Sequence, residues 1–179
     1  MRLEFAKDLT AMLMLKKRII YIDQSSWNLW DKHQIAKTWQ HHDNPIRHEI
    51  NTTRLKNVTI YGACSNFLDQ LVFELHPTTD KNALKHFLLT LQSKIEEKHL
   101  PTPITLVLDN HPSHYAHQVR PYYENTFNLM FTPPYSSFFN SQETVWSAVK
   151  AALNKYFARH SREIKTQSAF EGEVDFVLD

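Results

Sequence analysis

The sequence predicts one α/β domain on a mixed five-stranded sheet, an antiparallel meander followed by two parallel strands, with helices flanking it. Three observations carry that expectation. The first half holds three short apolar runs with no helical period between them, and the second half alternates strand-like and helix-like patterns. In addition, 179 residues at 42% hydrophobic, with two glycines, suit a single packed core over residues 1–179.

Residues 2–17 read as an amphipathic helix, with Leu3, Phe5, Leu9, Met12 and Leu13 apolar and Arg2, Lys7, Lys16 and Lys17 charged. Ile19, Ile20, Tyr21 and Ile22 then make a continuous apolar run ending at Asp23, which suits a strand buried on both faces, first and central in the sheet. From 24 to 55 the chain is mostly polar. Trp27, Trp30 and Trp39 stand as isolated anchors there, with His33, His41, His42 and His48 among them, and irregular structure is expected.

Residues 58–63 and 70–75 supply the second and third strands, joined by a turn around Ser65 and Asn66. Asp80 caps a helix that buries Leu84, Phe87, Leu88, Leu91 and Ile95 and ends near His99, before Pro101. Residues 104–108 read as a strand, 112–124 as a helix, 127–131 as a strand and 143–159 as a helix; the acidic stretch 171–179 is too short for a domain. This order of elements is that of a ribonuclease H-like fold.

Composition narrows the setting. Cys64 is the single cysteine, which excludes an intramolecular disulfide and a cysteine-rich zinc site and points to a reducing, intracellular compartment. The first apolar run, 11–15, is too short to span a bilayer, and no membrane role is expected. A net charge of +1 does not announce a nucleic-acid binder. Bound cations change that expectation, because they supply positive charge where phosphates must approach.

Three acids sit at telling places: Asp23 and Asp109 each close an apolar run, and Glu143 opens a helix after Pro133 and Pro134. Ligands gather at the carboxyl ends of strands in α/β sheets, so neighbouring parallel strands would set the two aspartates side by side, with the glutamate completing a hard oxygen set. Magnesium and manganese suit such ligands, and two ions ~3.5–4 Å apart serve phosphodiester transfer. Taken singly, each acid also fits a local role. Asp23 can begin a turn, Asp109 with Asn110 can form an Asx-turn into Pro112, and Glu143 can return to an Asn140 cap.

The chain resembles the mariner superfamily of transposases over most of its length. Residues 2–9, RLEFAKDL, and 19–30, IIYIDQSSWNLW, are similar to that family's approach to its first catalytic strand, and Trp39 matches a tryptophan often carried downstream. The most specific match is LVLDNHPSH at 106–114 with PPYSSFFNSQETVWSAVK at 133–150, in which Glu143 follows Asp109 by 34 positions. The resemblance implies an RNase H-like catalytic domain with Asp23, Asp109 and Glu143 as catalytic residues and ligands of two divalent ions, magnesium or manganese. It further implies strand cleavage by water and transfer of a 3′-hydroxyl into target DNA, with transposon ends and target as partners, a homodimer, and the nucleus of a eukaryote or otherwise the cytoplasm as location.

Two departures stand out. Ser137, Phe138 and Phe139 replace the family's Pro-Asp-Leu, and Ser141 and Gln142 its Pro-Ile, which is expected to loosen the loop presenting Glu143. The paired helix-turn-helix modules that precede the family's catalytic domain have no counterpart in these residues. An alternative is therefore a catalytically inactive or domesticated domain that binds DNA or protein, and another is a hydrolase of RNA-containing duplexes.

His111, beside Asp109, is placed to touch a phosphate, and Lys150 and Asn154 continue the Glu143 stripe of their helix toward DNA; each serves equally as a solvated surface residue. The spacing of His111, His114 and His117 argues only weakly for zinc, because Pro112 sets the first outside the helix and no cysteine completes the set. Lys16, Lys17, Arg18, Lys155, Arg159, Arg162 and Lys165 are candidate phosphate contacts, mostly solvated faces. Trp27, Trp30 and Trp146 are expected in the core.

Overall fold

The computed structural model of the chain describes residues 1–28, 43, 55–68, 71–115, 117, 119–123, 126–160 and 164–178. Trp30, Trp39 and the histidines 33, 41, 42 and 48 lie outside the described residues, as do Arg159's side chain and Arg162.

Five strands form one sheet in the order β3-β2-β1-β4-β5: β1 (Ile19–Trp27), β2 (Val58–Ser65), β3 (Val72–His76), β4 (Ile104–Leu108) and β5 (Phe127–Phe131). The pairs β1–β2 and β2–β3 are antiparallel, and β1–β4 and β4–β5 are parallel. This is the expected meander plus two parallel strands, with β1 central. Among the described residues four α-helices flank it: α1 (Arg2–Met14), α2 (Lys81–Glu97), α3 (Gln142–His160) and α4 (Gln167–Leu178).

Side-chain alternation sorts the core into two layers. Ile20, Ile22, Leu106 and Leu108 face α2, meeting Leu84, Phe87, Leu88 and Leu91. On the other face Ile19, Tyr21 and Val107 meet Phe5 and Leu9 of α1, while Trp27, Val58 and Ile60 meet Leu153 and Phe157 of α3 and Phe170 and Val174 of α4. Because β4 is covered on both sides, all five of its residues are buried, and an unbroken apolar run is what such a strand requires. Each large side chain so buried contributes about 1.5–3 kcal/mol over leaving it exposed.

Two expectations need correction, and one stretch gains an element the sequence did not assign. β1 does not stop at Asp23: it pairs with β2 as far as Trp27↔Val58, so the polar Gln24, Ser25 and Ser26 are strand residues with a ladder on one side only. Residues 112–124 are not one α-helix but contain 3-10 turns at Pro112–Tyr115 and Arg120–Tyr122. Pro121 suits the start of the second turn, but within one continuous α-helix it would lack the N–H that bonds the carbonyl of residue 117. The acidic C-terminal stretch belongs to α4, whose Phe170 and Val174, four residues apart, are fully buried.

Gly62 marks a close approach between layers. A Cβ there would lie 2.3 Å from Gln142 Nε2 and 2.7 Å from Trp146 Cη2, so the start of α3 sits directly on the β2 backbone. Gly62→Ala is expected to cost about 1–3 kcal/mol, as overpacking does, measured as a lower denaturation midpoint at unchanged slope.

Candidate active site

The parallel register of β1 and β4 builds the site. Tyr21 lies opposite Val107, and two residues further along each chain come Asp23 and Asp109. Both therefore emerge on the α3 side of the sheet, and Glu143 in the first turn of α3 faces them. The three acids line one open cleft of about 380 Å³, together with Asn110, His111, Pro112, Thr132, Pro133, Pro134, Tyr135, Ser136, Ser137 and Asn140. No lysine or arginine is among these lining residues.

Asp109, 45% exposed, is held from beneath by His114, a buried imidazole. Its Nδ1 stands 2.9 Å from the Asp109 carbonyl oxygen and 3.0 Å from Oδ1. Both neighbours are acceptors, so Nδ1 carries the proton and donates. The His111 backbone N–H donates to the same Oδ1 at 3.0 Å. The hydrogen bond from His114 is the largest influence on the Asp109 carboxyl and holds it below the usual carboxylate range. For His114, named in the sequence only within a weak zinc spacing, the role is structural: the 3-10 turn begun by Pro112 folds it back under the preceding strand end. His111 lines the cleft, as the sequence suggested.

Asp23 experiences the opposite environment. Burial, and then the nearby charges of Glu143 and Asp109, push its carboxyl up to about 6, although the Gln24 N–H and the Trp146 indole partly offset this. Trp146 is a core residue, as expected, but its Nε1–H also donates to Asp23 Oδ2 at 3.1 Å. The signal for that role was its place one turn after Glu143, on the helix face that turns toward β1.

Asn140 ties α3 to the sheet. Its Nδ2 donates to the Ile22 carbonyl at 3.0 Å, and its Oδ1 accepts from the Gln142 N–H at 3.1 Å. The substituted loop before it is not loose: Ser137–Phe139 form a 3-10 turn, and the Phe139 ring packs 5.1 Å from Phe5 of α1. Arg2 donates to the carbonyls of Pro134 and Tyr135, which helps hold Tyr135 at a φ of 53°, a left-handed conformation that costs a side chain of this size of order 1–3 kcal/mol. Tyr135 projects from the cleft rim, 96% exposed. The Gln142 side chain is fully buried over Gly62, and both its amide atoms lack a partner. Lys150 and Asn154 are exposed on α3 but do not line the cleft.

The donor set fits hard divalent cations. Three carboxylates converge in a cleft that no lysine or arginine lines, and burial first, with the charges of Glu143 and Asp109, raises the Asp23 carboxyl, a cost that a bound cation would relieve.

A sequence profile of the DDE superfamily endonuclease family matches residues 18–166. No curated protein sequence matches the chain. Among solved structures, the catalytic domain of Mos1 mariner transposase superposes with a TM-score of 0.62 at 15% identity, covering 99% of this chain and 78% of that one. Mos1 transposase in its paired-end complex with the left transposon end gives 0.54 at 20% identity, over 88% and 54% of the two chains. The HTLV-2 integrase catalytic core domain in complex with magnesium gives 0.52 at 10% identity, over 89% and 81%. At these identities the likeness is one of fold, RNase H-like as the element order predicted. The chain spans about half the length of the transposase in the paired-end complex.

Two outcomes follow for the acids and their neighbours. His114→Ala leaves Asp109 without its buried donor, and calorimetric titration with manganese should show affinity 10–100-fold weaker than in the wild type. Because the folded Asp23 carboxyl is raised to about 6, its ionised form costs nothing below pH ~4 and lowers stability progressively as the pH rises to ~6. In chelator, Asp23→Asn should therefore raise stability by roughly 1–3 kcal/mol at pH 7.5 and by nothing at pH 3.5, measured by denaturant titration.

Proposed function

We propose, on the premise that the chain belongs to the DDE superfamily endonucleases, that it is the catalytic domain of a metal-dependent DNA endonuclease and strand transferase of the cut-and-paste kind. The observation that carries this reading is the meeting of Asp23, Asp109 and Glu143 in one cleft that no lysine or arginine lines. Asp23, Asp109 and Glu143 would hold two divalent ions, magnesium or manganese. Bound there, such ions activate the attacking oxygen and stabilise the leaving oxygen of a phosphodiester.

The protein's own residues prepare that site. His114 fixes the orientation of Asp109, and Trp146 that of Asp23, so two carboxylates are aimed before any ligand arrives. Asn140 locks the first turn of α3 to β1, which sets where Glu143 stands. The opening of the cleft between the Pro133–Tyr135 rim and His111 is the side from which a DNA backbone would enter, with His111 beside the phosphate. Lys150 and Asn154, exposed further along α3, would meet the backbone outside the cleft.

Support for DNA as the partner comes from the fold's company. One structural neighbour is Mos1 transposase with a transposon end, another the Mos1 strand transfer complex, and another a Mos1 paired-end complex with manganese. Joining two ends implies two copies of the domain acting together.

Asp109→Asn and Glu143→Gln should each abolish manganese-dependent nicking of a DNA duplex while the circular dichroism spectrum is unchanged. Equal nicking by either variant would end the proposal, whereas DNA binding without nicking by the wild type would favour a domain retained for binding. Faster cleavage of an RNA–DNA hybrid than of DNA would point to a hydrolase of RNA-containing duplexes.

A further inference from the structure

On the opposite face of the sheet, the edge strand and α2 gather a second set of metal-ligating side chains. Glu74 and His76 are two apart on β3, so both point toward α2, while Phe73 and Leu75 point the other way and pack with the α3–α4 layer. His86, in the second turn of α2, meets them: its Nδ1 contacts Glu74 Oε1. His76 Nε2 stands 2.7 Å from the same oxygen, yet this buried nitrogen lies outside hydrogen-bond geometry. His76 Nε2 is thus a buried ring nitrogen beside a carboxylate with no hydrogen-bond partner, a donor atom available to a cation. All three ligand atoms lie within 4.8 Å of one another, and no other group of His, Cys, Asp or Glu among the described residues does so.

We propose that Glu74, His76 and His86 form a binding site for one divalent first-row transition ion, zinc foremost, which fastens the edge strand to α2. Two imidazole nitrogens and one carboxylate oxygen, with water in the fourth position, are a set that zinc takes readily, whereas magnesium prefers the all-oxygen set of the cleft. The surroundings orient the ligands. Thr90 Oγ1 donates to Glu74 Oε2 at 2.8 Å, which leaves Oε1 toward the histidines. The His76 ring is braced edge-on by Tyr61 at 5.5 Å and by His86 at 5.6 Å. Glu74 and His76 are mostly buried, at 17% and 14% exposure, and His86 at 70% leaves one side open for the ion and its water.

Cleft and edge site predict different ions and different variants, so they are separable. The whole chain is titrated with cobalt(II) and followed by visible absorption, in the wild type, in His86→Ala, in Glu74→Gln and in the cleft double variant Asp109→Asn/Glu143→Gln. Four- or five-coordinate cobalt absorbs far more strongly than the six-coordinate ion expected of carboxylates and water. One equivalent of the strong spectrum, displaced by zinc, is expected in the wild type and the cleft variant, with binding at least tenfold weaker in His86→Ala and Glu74→Gln. Zinc should also raise the melting temperature of the wild type but not of His86→Ala, whose exposed position leaves folding intact. Absence of the strong spectrum from the wild type, or its persistence in His86→Ala, overturns the proposal; so does its loss in the cleft variant alone.

Discussion

The parallel pairing of β1 with β4 is the constraint on which everything else in this protein depends. Ile19, Ile20 and Tyr21 against Thr105, Leu106 and Val107 fix a register that brings Asp23 and Asp109 out on the same face, each two residues beyond the last pair. A slip of one residue would send one carboxylate to the α2 face. Burial on both sides prevents it: Ile20 and Leu106 are enclosed by α2, and Ile19, Tyr21 and Val107 by α1. The hydrophobic effect thus sets the geometry of a polar site.

Bringing like charges together in a half-buried place opposes folding, and the surrounding donors answer it unevenly. Asp109 receives a buried imidazole N–H and a backbone N–H, and its carboxyl is lowered. Asp23 receives an indole and a backbone N–H, and burial still wins. Gln142 adds a further cost, since each unpartnered buried polar group costs about 1–3 kcal/mol. It stands where the resembling family carries an apolar residue. The other departure is absorbed instead, because Phe139 anchors the substituted turn on Phe5 and so steadies the chain leading to Glu143.

Alternation across the sheet also keeps two chemistries apart. Asp23 pairs with Gly62 and then Phe73 toward the α3 layer, while Gln24 pairs with Tyr61 and then Glu74 toward α2. Three carboxylates converge on the first face, and one carboxylate meets two imidazoles on the second. The glycine in the first row is not there for backbone freedom; it is the only side chain short enough to let α3 descend to the sheet.

The sequence by itself determined the element order, the central place of β1, the faces of α2 and the three acids, because strand burial, helical period and capping are local properties written in neighbouring residues. It misread 24–27, where a ladder on one side keeps a polar segment in the strand, and assigned no element to 167–178, where only two buried residues anchor a helix. It also placed 112–124 in one helix, although Pro121 was visible. What only the tertiary structure decided is how each acid is held: His114 under Asp109, Trp146 on Asp23, Asn140 on the Ile22 carbonyl, and Glu74 with His76 and His86. Apart from the local pairs His114–Asp109 and His76–Glu74, these contacts join residues from 12 to 123 positions apart. No periodicity records such partnerships, since they exist only once the sheet has fixed its register.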